Sequence, residues 1–225
     1  MEKVTRRSFV ATVGAATVVP ATALLSSVHA AAPAPTKKSS EESGKTAYLF
    51  FDSEEALFIE AACDRLIPAD ESGPGALGAG VPNYLDKQLG GAWGAGERLY
   101  RSGPWQSGTP SQGYQLPFSP AELFHTSLRA ISRDLGRGTP FHEMPAEARD
   151  TYLKSLESGA HDLDGVPSGV FFDMLLKMTV EGFFSDPVYG GNRDMVAWRM
   201  IGFPGAYADY FEAIDRHGVK SVHSK

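Results

Sequence analysis

Ser119-Pro120-Ala121-Glu122 is the most constraining run in this chain: a cap residue, a proline at the first helical position and a glutamate three residues after the cap. A hydroxyl at the N-cap accepts from the third helical amide, the glutamate reaches back to the cap amide, and proline there gives up no hydrogen bond. Phe124, Leu128, Ile131 and Leu135 follow at helical spacing, so the run predicts a helix ending at Gly136. Asp52 and Glu55 frame a second capping box ahead of Ile59, Cys63, Leu66 and Ile67, predicting a helix over about 53–67. Val81, Leu85 and Leu89 suggest a short helix ending at Gly90-Gly91. Pro145 opens another through about Leu156, with Ala148, Tyr152 and Leu156 on one side. Ser168 reads as the cap of one in which Phe172, Leu175, Thr179 and Phe183 recur. No alternating apolar run bounded by turn residues and no internal repeat accompanies these helices. The predicted class is mainly α: a single irregular helical domain with long loops over 47–219, then a tail over 220–225.

Ahead of that domain, Thr5-Arg6-Arg7-Ser8-Phe9-Val10 sets two arginines before an aromatic residue, and an uncharged stretch runs on to Val28-His29-Ala30. A positive start, a modest apolar middle and small residues at a cleavage point are the three parts of a signal peptide. Thr12, Gly14, Thr17, Pro20, Thr22, Ser26 and Ser27 make the middle too polar for a comfortable membrane span. Residues 1–30 therefore read as a cleavable twin-arginine export signal carried by Arg6, Arg7 and Phe9, an address read by a receptor and used by proteins that fold before crossing. Residues 31–46, rich in Ala, Pro, Ser, Lys and Glu, lack the apolar surface needed to offset ordering entropy and read as a flexible leader.

The whole chain carries a net charge of −6, and loss of Lys3, Arg6, Arg7 and Glu2 with the signal takes it to −8. Such a domain is a poor nucleic-acid binder. Cys63 is the only cysteine, which rules out an internal disulfide, an iron–sulfur cluster and c-type haem attachment. It falls on the apolar stripe of the first helix, where a thiol packs as a small hydrophobe; a bridge to another chain stays open.

Cofactor and catalytic signals are weak. Gly73-Pro74-Gly75-Ala76-Leu77-Gly78 matches the dinucleotide fingerprint in letters only, because a helix precedes it and Pro74 removes a backbone donor. His125, His142, His161, His217 and His223 have no metal-ligand spacing. His161-Asp162-Leu163-Asp164 could be a base with its orienting carboxylate, but reads first as a solvated turn. No nucleophile elbow, phosphate loop or Ser-x-x-Lys occurs. The expectation is no catalytic residue, metal or cofactor in this chain.

Two irregular segments stand out. Residues 90–117 form a long loop bearing Trp93, Tyr100, Trp105 and Tyr114, aromatic types enriched at interfaces. Residues 183–205 are the densest signal: Tyr189-Gly190-Gly191-Asn192-Arg193 asks for a tight turn at positive φ, and Trp198, Met200, Ile201, Phe203 and Pro204 bring apolar surface behind it. That segment is either a rigid packed corner or a docking surface.

The block Asp186–Gly205 resembles the signature of the gluconate 2-dehydrogenase subunit 3 family, and Tyr84-Leu85-Asp86, Gly91-Ala92-Trp93-Gly94-Ala95-Gly96 and Gly113-Tyr114-Gln115 are similar to it in order and spacing, over about residues 50–218. The resemblance implies a small subunit without its own cofactor. Its partners would be a catalytic flavoprotein of the glucose-methanol-choline (GMC) type holding FAD and a multihaem cytochrome c passing electrons to quinone. It implies oxidation of D-gluconate to 2-keto-D-gluconate in a periplasmic complex held to the inner membrane through the cytochrome. It further implies that the small subunit carries the twin-arginine signal for a flavoprotein that lacks one. Some relatives join these subunits by a disulfide; Cys63, on a core stripe, points here to non-covalent association. Related glucose, fructose, sorbitol or 2-ketogluconate dehydrogenases use similar small subunits, and a sugar-acid binding module or an independent enzyme using His161 or His142 are the further readings.

Overall fold

The first capping box sets the frame for a computed structural model of the chain, which describes residues 47–106, 108–109, 115–136 and 138–203. Asp52 Oδ1 accepts from the Glu54 and Glu55 amides at 2.9 Å, and Glu55 Oε2 accepts from the Asp52 amide at 3.2 Å. Helix α1 (Ser53–Leu66) starts there and ends one residue short of the expected boundary. After one helical turn, α2 (Gly75–Gly78), comes α3 (Val81–Leu89), ending at Gly90 as anticipated. The glycine-rich run thus makes that turn, preceded among the described residues by one isolated bridge, Asp70–Gly73.

The second capping box is formed too. Ser119 Oγ accepts from the Glu122 amide at 3.3 Å and Glu122 Oε2 accepts from the Ser119 amide at 2.7 Å. These bonds, helped by Arg101, hold the Glu122 carboxyl below its usual range. They open α4 (Pro120–Leu135). Between α3 and α4 the described residues contain no regular element, as the long-loop reading anticipated.

Helix α5 (Ala146–Glu157) follows Pro145, but its inward face differs from the expected one. Leu153 and Leu156 are buried, Tyr152 is half-buried and Ala148 is exposed, because an alanine satisfies helical spacing without requiring burial. A two-stranded hairpin, β1 (Asp162–Leu163) with β2 (Val166–Pro167), then turns through Asp164-Gly165. Strands of two residues are too short to leave a period in a sequence.

Helix α6 (Ser168–Phe184) corrects the expected role of Ser168. Ser168 is the first helical residue rather than the cap: it is fully buried, its Oγ donates to the Leu156 carbonyl at 2.9 Å and accepts from the His161 amide at 3.3 Å. The hydroxyl joins α6 to α5 instead of satisfying its own helix. Phe172, Leu175, Thr179 and Phe183 are buried as expected, and Phe171 and Met178 with them. α6 touches α1, α3, α4 and α5, and α1 touches α2 to α6, so these two helices together organise the packing. Phe124, Phe171, Ile59, Leu85 and Leu175 are fully enclosed, each contributing about 1.5–3 kcal/mol by leaving water. The fold is mainly α, and no helix among the described residues is long and apolar enough to cross a membrane. Short helix α7 (Val196–Ile201) closes the described chain beyond two 3-10 turns, Pro187–Tyr189 and Arg193–Met195.

Candidate partner-docking face

The corner between α6 and α7 is built from inside by Asn192. This residue is fully buried at φ 42°, a conformation asparagine tolerates better than most. Its Nδ2 donates to the Ser185 carbonyl at 2.9 Å and its Oδ1 accepts from the Ala197 amide at 2.9 Å, tying the end of α6 to the start of α7. Gly191 lies so close to α6 that a Cβ would come within 2.1 Å of the Gly182 carbonyl oxygen. The turn is pinned sideways to α2 and α3: the Arg193 amide donates to the Ala79 carbonyl at 2.9 Å and Asn83 Nδ2 to the Gly190 carbonyl at 3.0 Å.

Everything apolar that this rigid corner does not bury points outward. Val188 is 74%, Tyr189 56% and Ile201 58% exposed, and Met195, Met200 and Phe184 are also exposed. Trp198 is half-buried: its Nε1 donates to the Phe184 carbonyl at 2.8 Å and its ring meets Phe203 edge-on at 5.1 Å. The packed-corner reading holds on the inner side of the turn, and the outer side is exposed apolar surface.

The loop after α3 builds the second part. Trp93 and Trp105 stand 41% and 36% exposed over a groove of ≈ 720 Å³ whose floor is the outer face of α6, including Met174, Lys177 and Glu181. Tyr100 is 80% exposed beside a smaller hollow shared with Trp105. At the Glu181 end of the groove, the Tyr84 ring packs on Gly182, where a Cβ would come within 2.7 Å of the ring. Burial, then the charge of Glu181, then Tyr189, keep the Tyr84 phenol protonated above its usual range. Tyr84 thus packs on α6 next to Glu181, a residue that lines the tryptophan groove.

Against known proteins, the model of one family, gluconate 2-dehydrogenase subunit 3, matches residues 53–205. This span runs from the first capping box to the last residues of the corner. The chain belongs to the gluconate 2-dehydrogenase subunit 3 family. Neither a curated protein nor a solved structure matches it. As a subunit 3 by family, it is one component of a multi-subunit dehydrogenase.

In this subunit 3 chain, the residues singled out from sequence divide by position. Trp93, Tyr100, Trp105, Tyr189, Arg193 and Phe203 reach the surface, Trp198 is half-buried, and Gly190, Gly191 and Asn192 form the turn behind them. Arg6, Arg7, Phe9, Tyr114 and Pro204 lie outside the described residues, as do His217 and His223. The imagined base at His161 does not gather its carboxylates. His161 Nε2 meets Ser155 Oγ at 3.0 Å, Asp162 accepts from the Gly165 amide, and Asp164 pairs with Arg133 at 2.8 Å. His142 lies 3.7 Å from the exposed Glu143.

Cys63 is fully buried, with Sγ 3.7 Å from Thr179 Oγ1, and burial pushes its thiol up to about 12. A subunit 3 with its only thiol in the core offers no thiol at its surface. Tyr84, Met174, Lys177 and Glu181 were missed. The available signal was the surplus of apolar residues on α6 off its buried stripe: Val170, Met174, Val180 and Phe184.

Proposed function

We propose that this chain is the non-catalytic small subunit of a membrane-bound, periplasmic, FAD-dependent gluconate 2-dehydrogenase, and that it holds the flavoprotein subunit folded and carries it through the twin-arginine translocase. The observation that carries the reading is the family match over residues 53–205, which takes in both halves of the docking face. The exposed residues have the make-up of a binding surface: aromatic side chains at a groove, and aromatic and methionine side chains on a corner held by a buried asparagine.

In this reading the chemistry belongs to the partners. A GMC-type flavoprotein with FAD oxidises D-gluconate to 2-keto-D-gluconate, and a multihaem cytochrome c takes the electrons to quinone and holds the assembly at the inner membrane. This chain binds and positions, and its own signal at Arg6 and Arg7 serves both proteins.

The deciding experiment replaces Arg6 and Arg7 together by lysine in cells making all three subunits. Both this chain and the flavoprotein then stay in the cytoplasm, and gluconate oxidation at the membrane is lost. Export of the flavoprotein despite the double substitution overturns the escort role.

A further inference from the structure

Asp86 is a buried carboxylate in α3, 3% exposed, that serves none of the docking face. Its partners are backbone amides of three consecutive residues far away in sequence. Leu49 donates to Oδ1 and Oδ2 at 3.1 and 3.0 Å, Phe50 to Oδ1 at 2.8 Å and Phe51 to Oδ1 at 3.1 Å. Successive amides curled round one anion form a backbone nest, and the carboxylate charge is met by their dipoles.

The same short segment touches two further helices. Tyr48 donates its hydroxyl to Glu60 Oε1 of α1 at 2.6 Å, and Phe50 stacks on His125 of α4 with ring centroids 4.2 Å apart. His125 Nδ1 in turn lies 2.8 Å from Glu55 Oε1 of α1. Phe51 is buried against Phe124 of α4. Together these ties reach three helices, and the full set forms only when α1, α3 and α4 are assembled.

We propose that Tyr48–Phe51 is a latch that closes on the folded helical core through Asp86 and stays closed only while α1, α3 and α4 are packed. Open, the latch frees the run Tyr48-Leu49-Phe50-Phe51 directly behind the leader. Closed, it buries Phe51, half-buries Tyr48 and Phe50, and leaves Leu49 93% exposed. The latch makes the base of the leader a readout of the folded state. Its use in export rests on the reading of residues 1–30 as a signal; the latch itself does not.

Hydrogen exchange on the purified full-length chain tests it. In Asp86→Ala the amides of Leu49, Phe50 and Phe51 exchange at least about tenfold faster, while those of Ile59, Leu128 and Leu175 keep their rates. Asp86→Asn retains one acceptor oxygen and gives a smaller acceleration at the same three amides. Chymotrypsin cuts next to Phe50 and Phe51 in the variants before it cuts the core. Unchanged exchange at residues 49–51 overturns the proposal, and so does equal acceleration of latch and core in both variants. The measurement needs no translocase, so failure of the latch and failure of the export reading are told apart by this experiment and the arginine substitution.

Discussion

Asn192 holds Ala197: the buried Oδ1 accepts from the Ala197 amide at 2.9 Å while Nδ2 of the same side chain donates to the carbonyl of Ser185. One amide group thus stands in for the missing backbone continuity between α6 and α7. It also decides where Val188, Tyr189 and Ile201 are displayed.

Replacing Asn192 by alanine leaves the Ala197 amide and the Ser185 carbonyl without their partner and places a less tolerant residue at positive φ. The expected cost is about 2 kcal/mol. For a domain of this size it lowers Tm by about 4–8 °C in a calorimetric scan. Asn192→Asp can keep the acceptor but not the donor and falls between the two. A melting temperature unchanged in both variants would mean that the corner is held by the Ala79 and Asn83 contacts alone.

The local parts of this fold were legible because their chemistry is local. Both capping boxes are written in four consecutive residues, and both formed with the expected donors and acceptors. Ser168 shows the limit of that logic. A serine ahead of an apolar run has the letters of a cap, but its hydroxyl is taken by Leu156 and His161 from another element, and nothing within four residues announces this. Asp86 is the sharper case: its partners are amides 35–37 residues away, and an amide has no side-chain identity to read. For the site, the turn at Gly190–Asn192 was readable from its glycines and asparagine. The outer face of α6 was overlooked: Asp173, Lys177 and Glu181 mark it at four-residue spacing, but Val170, Met174, Val180 and Phe184 carry apolar surface well beyond the buried stripe and blur the pattern.

Cys63 provides a test of the core that is independent of any partner. Its thiol, buried beside Thr179, is raised from an ordinary value of 9.0 to about 12. The unfolded chain therefore releases this proton at lower pH than the folded one. Its contribution to stability is complete below pH 9 and is lost as pH rises towards 12. Iodoacetamide at pH 8 should label the denatured chain fully and the native chain at least about a hundredfold more slowly. Cys63→Ala should remove this part of the alkaline destabilisation. Rapid labelling of the native protein at pH 8 contradicts a closed core at this position.

Trp93, Trp105 and Tyr189 separate a docking face from a merely exposed one. Each is at least 36% exposed, so truncation to alanine removes little packing within the chain and should shift Tm by no more than about 2 °C. Aromatic anchors at the centre of an interface each cost about 2 kcal/mol or more on truncation, which is about a 30-fold weaker complex. Purification through a tag on this chain, from cells expressing the dehydrogenase subunits together, should therefore yield stoichiometric flavoprotein with the wild type. The Trp93→Ala and Tyr189→Ala chains should yield much less. Because Tyr84 packs on Gly182 next to the groove residue Glu181, Tyr84→Ala should weaken the complex as well. A lone arginine such as Arg98, exposed outside the groove, should be replaceable without effect. Full recovery of the flavoprotein with all three aromatic variants would place the contact elsewhere on the molecule.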